Sequence, residues 1–309
     1  MNQYDAIILT VPRDFKRMEK LYYKLEENLP VRKIFFIGSS VVYSMMKELN
    51  LSDKFDFVDE NDIVPFDDVK AIIEDVFGGR EVTRGFVGWY YQQFLKMQYA
   101  RMCKDDFYLS WDGDTIPVQK IVMENEEGKP YIDWKRECNP MYFKTMGKLF
   151  PGMTKVMEPS FIAEHMLFSK DMMTKMLDEI ENADYLSGET FYERILRAIG
   201  PEDLNGNAFS EFETYGTYLA LHNPYMYAMR RWTSFRCCGQ YFRADDITEK
   251  EMEWLGKDFH AISFEKGQFP MSGTEFFRNK EYQEKLTARY ILEVVQEEMT
   301  NDGYKETWD

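Results

Sequence analysis

The chain lacks a glycine-rich phosphate loop. Its first apolar run is followed by Thr10-Val11-Pro12-Arg13, so neither the G-x-G-x-x-G dinucleotide fingerprint nor a Walker loop is present. Basic residues are in deficit: 38 Lys and Arg against 54 Asp and Glu leave a formal net charge of −16. Nucleic-acid binders normally carry a basic surface, and broad adhesion to anionic lipid needs positive charge as well, so neither partner is expected. Cysteine is scarce. Cys103, Cys138, Cys237 and Cys238 form no C-x-x-C pair, which argues against a zinc pattern and a disulfide framework; they are expected in the core. No apolar run is long enough to cross a membrane. The N-terminal MNQYDAIILTVPRDF has neither the basic segment nor the long apolar segment of a signal peptide. A protein of the reducing cytoplasm is expected.

What is present is apolar and aromatic. Of 309 residues, 44% are hydrophobic and 16% aromatic, enough for one well-packed unit over residues 1–309. Residues 4–11, 32–38 and 55–59 read as buried strands. Residues 14–28, 41–49, 67–77 and 88–102 read as helices, the second capped by Ser39 or Ser40. This β-α-β-α-β alternation predicts an α/β fold with a mostly parallel central sheet flanked by helices.

The stretch that organises the chain is 107–118, FYLSWDGDTIPV. Its apolar start reads as a strand, and Asp112-Gly113-Asp114 as the turn at its carboxyl end. In open α/β sheets ligands bind beyond that end. Gly113 lets the backbone turn tightly, so both carboxylates can face one ligand. Carboxylates are hard oxygen ligands suited to Mg²⁺ or Mn²⁺, with substrate phosphates and water completing the shell. The bland alternative is a solvated Asp-Gly turn.

Other candidates are scattered. Arg80 and Arg84, in a polar glycine-bearing loop, are placed to meet a diphosphate. A hairpin-like turn at 125–130 is expected between strands 121–124 and 131–134. Glu164 and His165 head an apolar run at the mouth of a pocket. Glu211 and Glu213 lie at the start of a helix opened by Ser210, where carboxylates are electrostatically favoured. Arg230 or Arg231 offers a fork for phosphate. Ser272-Gly273-Thr274-Glu275 reads as a capping box opening a closing helix with a stripe of Tyr282, Leu286, Tyr290, Leu292 or Ile291, and Val295. The terminal NDGYKETWD is expected to fray.

Strand–helix alternation, the helix WYYQQFLK carrying Gln92, Gln93 and Lys96, and the D-x-D strand together resemble the nucleotide half of a GT-A-fold, D-x-D-type glycosyltransferase. More narrowly, they resemble uncharacterised bacterial polysaccharide-biosynthesis enzymes with a W-Y-x-Q-Q-x-x-K helix. The resemblance covers residues 4–118 in the order of elements, and 88–118 in motifs. It implies a nucleotide-sugar-binding half (1–118) and an acceptor-binding and catalytic half (119–309). It implies Mn²⁺ or Mg²⁺ on Asp112, Asp114 and His260. Asp112, Gln93, Lys96 and Lys266 would then join Arg84 and His165 around the donor. Glu211, with Glu213 as alternate, resembles the acidic base that deprotonates an acceptor hydroxyl in inverting enzymes. The implied reaction moves a sugar from a nucleoside-diphosphate sugar to a saccharide or lipid-linked saccharide, at the inner face of the membrane in the latter case. The alternatives are a metal-dependent phosphohydrolase or nucleotidyltransferase using the same acidic turn, and a non-catalytic glycan- or protein-binding relative.

Overall fold

A computed structural model describes residues 4–136 and 138–298. The first part runs β1 (Asp5–Leu9), α1 (Pro12–Met18), α2 (Tyr22–Asn28), β2 (Ile34–Gly38), α3 (Ser40–Leu49), β3 (Phe55–Asp59), α4 (Glu60–Ile63), α5 (Phe66–Val76), α6 (Arg84–Gln98) and β4 (Phe107–Asp112). The rest runs β5 (Thr115–Pro117), β6 (Tyr131–Trp134), α7 (Pro140–Leu149), β7 (His165–Ser169), α8 (Lys170–Asn182), α9 (Phe191–Ile199), α10 (Glu211–His222), β8 (Ala228–Arg231), β9 (Ser234–Phe235), α11 (Glu249–Leu255), β10 (Ala261–Ser263), α12 (Lys280–Lys285) and α13 (Ala288–Glu298).

The central sheet has the order β3-β2-β1-β4-β7. β3, β2, β1 and β4 are parallel, and β7 closes the edge antiparallel to β4. The α/β architecture read from the sequence is therefore the one observed. Alternate residues of each strand enter opposite cores, as the two-residue pleat requires. Ala6 and Ile8 pack with Phe15, Tyr22 and Phe36 on one face; Ile7 and Tyr108 pack with Phe94, Phe168 and Tyr215 on the other. Both faces are covered along β1, β2, β4 and β7, so these strands read as largely apolar runs; on the edge strand β3, Asp56 is exposed.

Several local expectations change. The helix expected over 14–28 is two, α1 and α2, interrupted at 19–21. Leu21, Tyr22 and Leu25 join Phe15 and Met18 in the same core across the break, so periodicity reads straight through it. The turn at 125–128 exists, fixed by Asn125, whose side chain accepts from the Glu127 and Lys129 amides. Its flanks do not form a ladder: β6 pairs parallel with β8, and only Glu124 and Pro130 bridge. No capping box forms at 272–275: Thr274, not Ser272, takes the N-cap place, makes no side-chain cap bond, and donates its hydroxyl to the Met271 carbonyl. A 3-10 turn follows, and α12 begins beyond it, capped by Asn279. The true box is Thr248 with Glu251, opening α11. Of the expected closing stripe, Ile291 and Leu292 are buried, whereas Tyr282, Leu286 and Tyr290 are exposed; the Val295 side chain and the terminal NDGYKETWD lie outside the described residues. Cys237 and Cys238 are buried, Cys103 is half-buried, and Cys138 is exposed.

Candidate active site

β1 continues to β2 and β3 on one side, while β4 lies on its other side. The chain reverses its winding between β1 and β4, and the crevice beyond their carboxyl ends is the topological switch point. Asp112 ends β4 there. Gly113 passes so close to β1 that a Cβ on it would lie 2.6 Å from the Leu9 carbonyl oxygen. Only glycine permits this approach, and it seats the D-G-D turn against the end of β1. β5 follows at once and pairs with β10, with Thr115 Oγ1 and Ser263 Oγ 2.7 Å apart.

The two carboxylates have different surroundings. Asp112 is half-buried, and its Oδ1 lies 2.8 Å from Lys96 Nζ. Asp114 is half-buried, with the Thr115 hydroxyl at 3.4 Å from its Oδ1. Burial first, then the negative charges of Asp112 and Glu265, push its carboxyl up to about 7. Arg17 offsets this only in part.

Lys96 comes from the buried face of α6. Its ammonium is also 2.8 Å from Glu211 Oε1 and lies 4.3 Å from the centre of the Phe212 ring. Burial would lower the pKa of this lysine; Asp112 and Glu211 outweigh that and keep it protonated. Gln93, one turn earlier, accepts from the Glu211 backbone amide at 3.0 Å and donates to the Trp89 carbonyl. Gln93 and Lys96 thus hold the start of α10 beneath Asp112.

A second buried ion pair lies under β7. Glu164 accepts from Lys135 Nζ at 3.0 Å, Ser234 Oγ at 2.8 Å and Trp232 Nε1 at 2.9 Å. Burial would raise its carboxyl, yet Lys135, with Arg236 and Ser234, hold it down to about 2. The Glu164 carbonyl takes the Asp112 amide at 2.9 Å, which ties this pair to the strand that carries the acidic turn.

The structure brings Asp112, Asp114, Lys96 and Glu211 together and separates the other expected residues. His260 is not a third ligand. β10 runs antiparallel to β5, with Phe264 donating to the Asp114 carbonyl and Val118 to the His260 carbonyl. His260 is thus level with Val118, four residues or ~13 Å along the strand from Asp114. It stacks on Trp232 at 4.5 Å, and its Nδ1 lies 2.8 Å from Thr233 Oγ1. His165 lines no mouth: it is buried between Trp111 and Trp232, with Nε2 2.8 Å from Asp133. Arg230 is held by Asp133 through two bonds of 2.6 and 2.7 Å. Arg84 pairs with Glu60 beyond β3 and covers the Phe66 ring; twelve residues of helix, ~18 Å, separate it from Lys96. Gln93 and Lys96 are buried and committed to protein partners, so neither faces a donor. Glu213 is buried and accepts from the Ser160 hydroxyl and the Phe161 amide. Glu211, the expected base, has a side chain only 5% exposed and locked to Lys96; a base must reach the proton it takes. Lys266 is exposed, two residues beyond Phe264.

Sequence reading missed Lys135, Arg236 and Glu265. Glu265 sits beside Lys266 in the chain and was overlooked for it; nothing in the spacing of Lys135 or Arg236 marks them. A surface groove of about 620 Å³ lined by Ala100, Arg101, Cys103 and Lys170 among others lies at the opposite end of the strands, beside the start of β4.

A family model matches residues 40–266. The chain belongs to DUF6492, a family of unknown function. The DUF6492 segment includes the D-G-D turn, Lys96, Glu211 and Arg236, and leaves out β1. Comparison with curated proteins gives no match. Among solved structures, the chain is similar to mouse xyloside xylosyltransferase 1 in its apo form, at 11% identity over 88% of this chain and 100% of that one, with a TM-score of 0.45. It is similar to the glycosyltransferase GlyE of Streptococcus pneumoniae, at 12% identity over 97% of this chain and 64% of that one, TM-score 0.41. It is similar to the galactosyltransferase LgtC, at 10% identity over 91% of this chain and 100% of that one, TM-score 0.41. Likeness at this level assigns no role to any residue of the DUF6492 chain. No helix among the described residues is long and apolar enough to cross a membrane.

Proposed function

We propose that this chain is a metal-dependent glycosyltransferase that takes a sugar from a nucleoside-diphosphate donor to a hydroxyl acceptor. The observation that carries the reading is the pair Asp112 and Asp114 at the switch point between β1 and β4, in a chain with no glycine loop to hold phosphate. The donor set fits Mg²⁺ or Mn²⁺: two half-buried carboxylates, all hard oxygens, with Lys96 engaging only one oxygen of Asp112. Among the described residues no group of three His, Cys, Asp or Glu is arranged to hold a metal. A divalent cation held there supplies neutralising charge to the departing nucleoside diphosphate.

The chain's own residues set up this chemistry. Lys96 holds Oδ1 of Asp112 and leaves Oδ2 outside that ion pair. Glu211 fixes Lys96, and Gln93 fixes the start of α10 through the Glu211 amide, so Glu211 serves as a positioning residue. Asp114, surrounded by negative charge, is relieved when a cation binds. The proposed setting, bacterial polysaccharide synthesis, rests on the motif resemblance of residues 88–118.

The test is a thermal-shift panel of UDP, GDP and CDP with and without Mn²⁺ or Mg²⁺. One nucleotide is expected to raise Tm by several degrees with the cation only, the equivalent of ~2.7 kcal/mol at a hundredfold excess over Kd. Asp114→Asn is expected to abolish that shift and cation-dependent donor hydrolysis or transfer. Equal stabilisation without the cation, or full activity in Asp114→Asn, overturns the reading.

A further inference from the structure

The cations near the D-G-D turn are unequally available. Lys96 and Lys135 are buried and held by carboxylates. Arg236, just past the end of β9, is different: its side chain is 34% exposed. Its Nε and Nη2 both lie 2.9 Å from Glu265 Oε1, and Nε is 3.6 Å from Glu164 Oε1. Glu164 is already satisfied by Lys135, Ser234 and Trp232. Glu265 directly follows Phe264, whose amide bonds the Asp114 carbonyl at 2.8 Å, so the Arg236–Glu265 pair stands at the lip of the acidic turn. The backbone on either side is fixed: Gln268 Nε2 donates to the Arg236 carbonyl, and the Glu265 amide to Gln268 Oε1. Exposed Lys266 adjoins the pair.

A carboxylate occupies the same guanidinium fork that a phosphate takes. An ion pair this exposed is weakly held and readily exchanged. We propose that Arg236 is the diphosphate clamp of this crevice and that Glu265 is its resting placeholder, surrendering the guanidinium when a diphosphate arrives. The proposal rests on the glycosyltransferase reading, and it gives the two partners opposite effects. Loss of Arg236 weakens diphosphate binding; neutralising Glu265 strengthens it, because the ligand no longer displaces a charged competitor.

The test is calorimetric titration of the full chain, in Mg²⁺, with inorganic pyrophosphate and with UDP, GDP and CDP. Arg236→Gln is expected to weaken binding about tenfold or more, with Arg236→Lys recovering part of it, since lysine keeps the charge but not the fork. Glu265→Gln is expected to tighten binding about threefold or more, and to have no such effect in the Arg236→Gln background. Wild-type affinity in Arg236→Gln, or weaker binding in Glu265→Gln, overturns the clamp and leaves the glycosyltransferase reading standing. So does tightening that persists without Arg236, which marks a field effect of net charge. Failure of the wild type to bind any of the four probes overturns both.

Discussion

Replacing Lys96 with Met takes a buried ammonium out from between two carboxylates. The two partners respond unequally. Asp112 is 34% exposed, so water can take over its solvation. The Glu211 side chain is 5% exposed, and no water-rich surface replaces the lysine. Breaking a buried pair by removing one partner costs about 3–5 kcal/mol, because an uncompensated charge remains; nearly all of it is expected from Glu211. For a domain of this size that corresponds to a Tm lower by roughly 5–8 °C. The double variant Lys96→Met, Glu211→Gln removes both charges and is expected to recover most of the loss, since well-packed neutral replacements of buried pairs are often tolerated. Urea unfolding followed by tryptophan fluorescence measures both variants against the wild type. A loss below about 1 kcal/mol for Lys96→Met, or a double variant no better than the single one, refutes the view that Glu211 is buried and dependent on this lysine.

Three further outcomes follow from the same geometry. Glu164, held at about 2 against an ordinary 4.5, gives the fold ~3 kcal/mol that is present above pH 4.5 and lost as pH falls toward 2; acid titration of stability in Glu164→Gln should show a shallower slope there, from a lower plateau. Gly113→Ala places a Cβ 2.6 Å from the Leu9 carbonyl oxygen, so β1 and the acidic turn must part; a stability loss of about 1–3 kcal/mol and loss of Mn²⁺-dependent nucleotide binding are expected by thermal shift. His260→Ala, by contrast, should leave the Mn²⁺ dependence of nucleotide binding unchanged in a metal titration, and a weakened metal response would restore His260 as a ligand.

What could be read in the sequence depended on how local the signal was. β4 was found at its observed start because a strand buried on both faces is an apolar run of the right length; β3, an edge strand with Asp56 exposed, was found at its observed bounds. The Asp112–Asp114 turn was found because it is contiguous with β4. The roles of Gln93, Lys96 and Glu211 were not legible. A lysine at one position of a helix reads the same whether it enters solvent or the core, and the two carboxylates that make Lys96 a core residue come from 16 and 115 positions further on. His260 was misread for the related reason that order along the chain does not fix register: pairing of β10 with β5 begins opposite Thr115, and antiparallel progress carries His260 away from Asp114 at every step. Glu265 and Arg236 are brought to the turn by that same register. Whatever ligand the crevice takes, its charge balance is set at β10, a strand of three residues, and a one-residue slip there would turn Glu265 to the other face and separate it from Arg236.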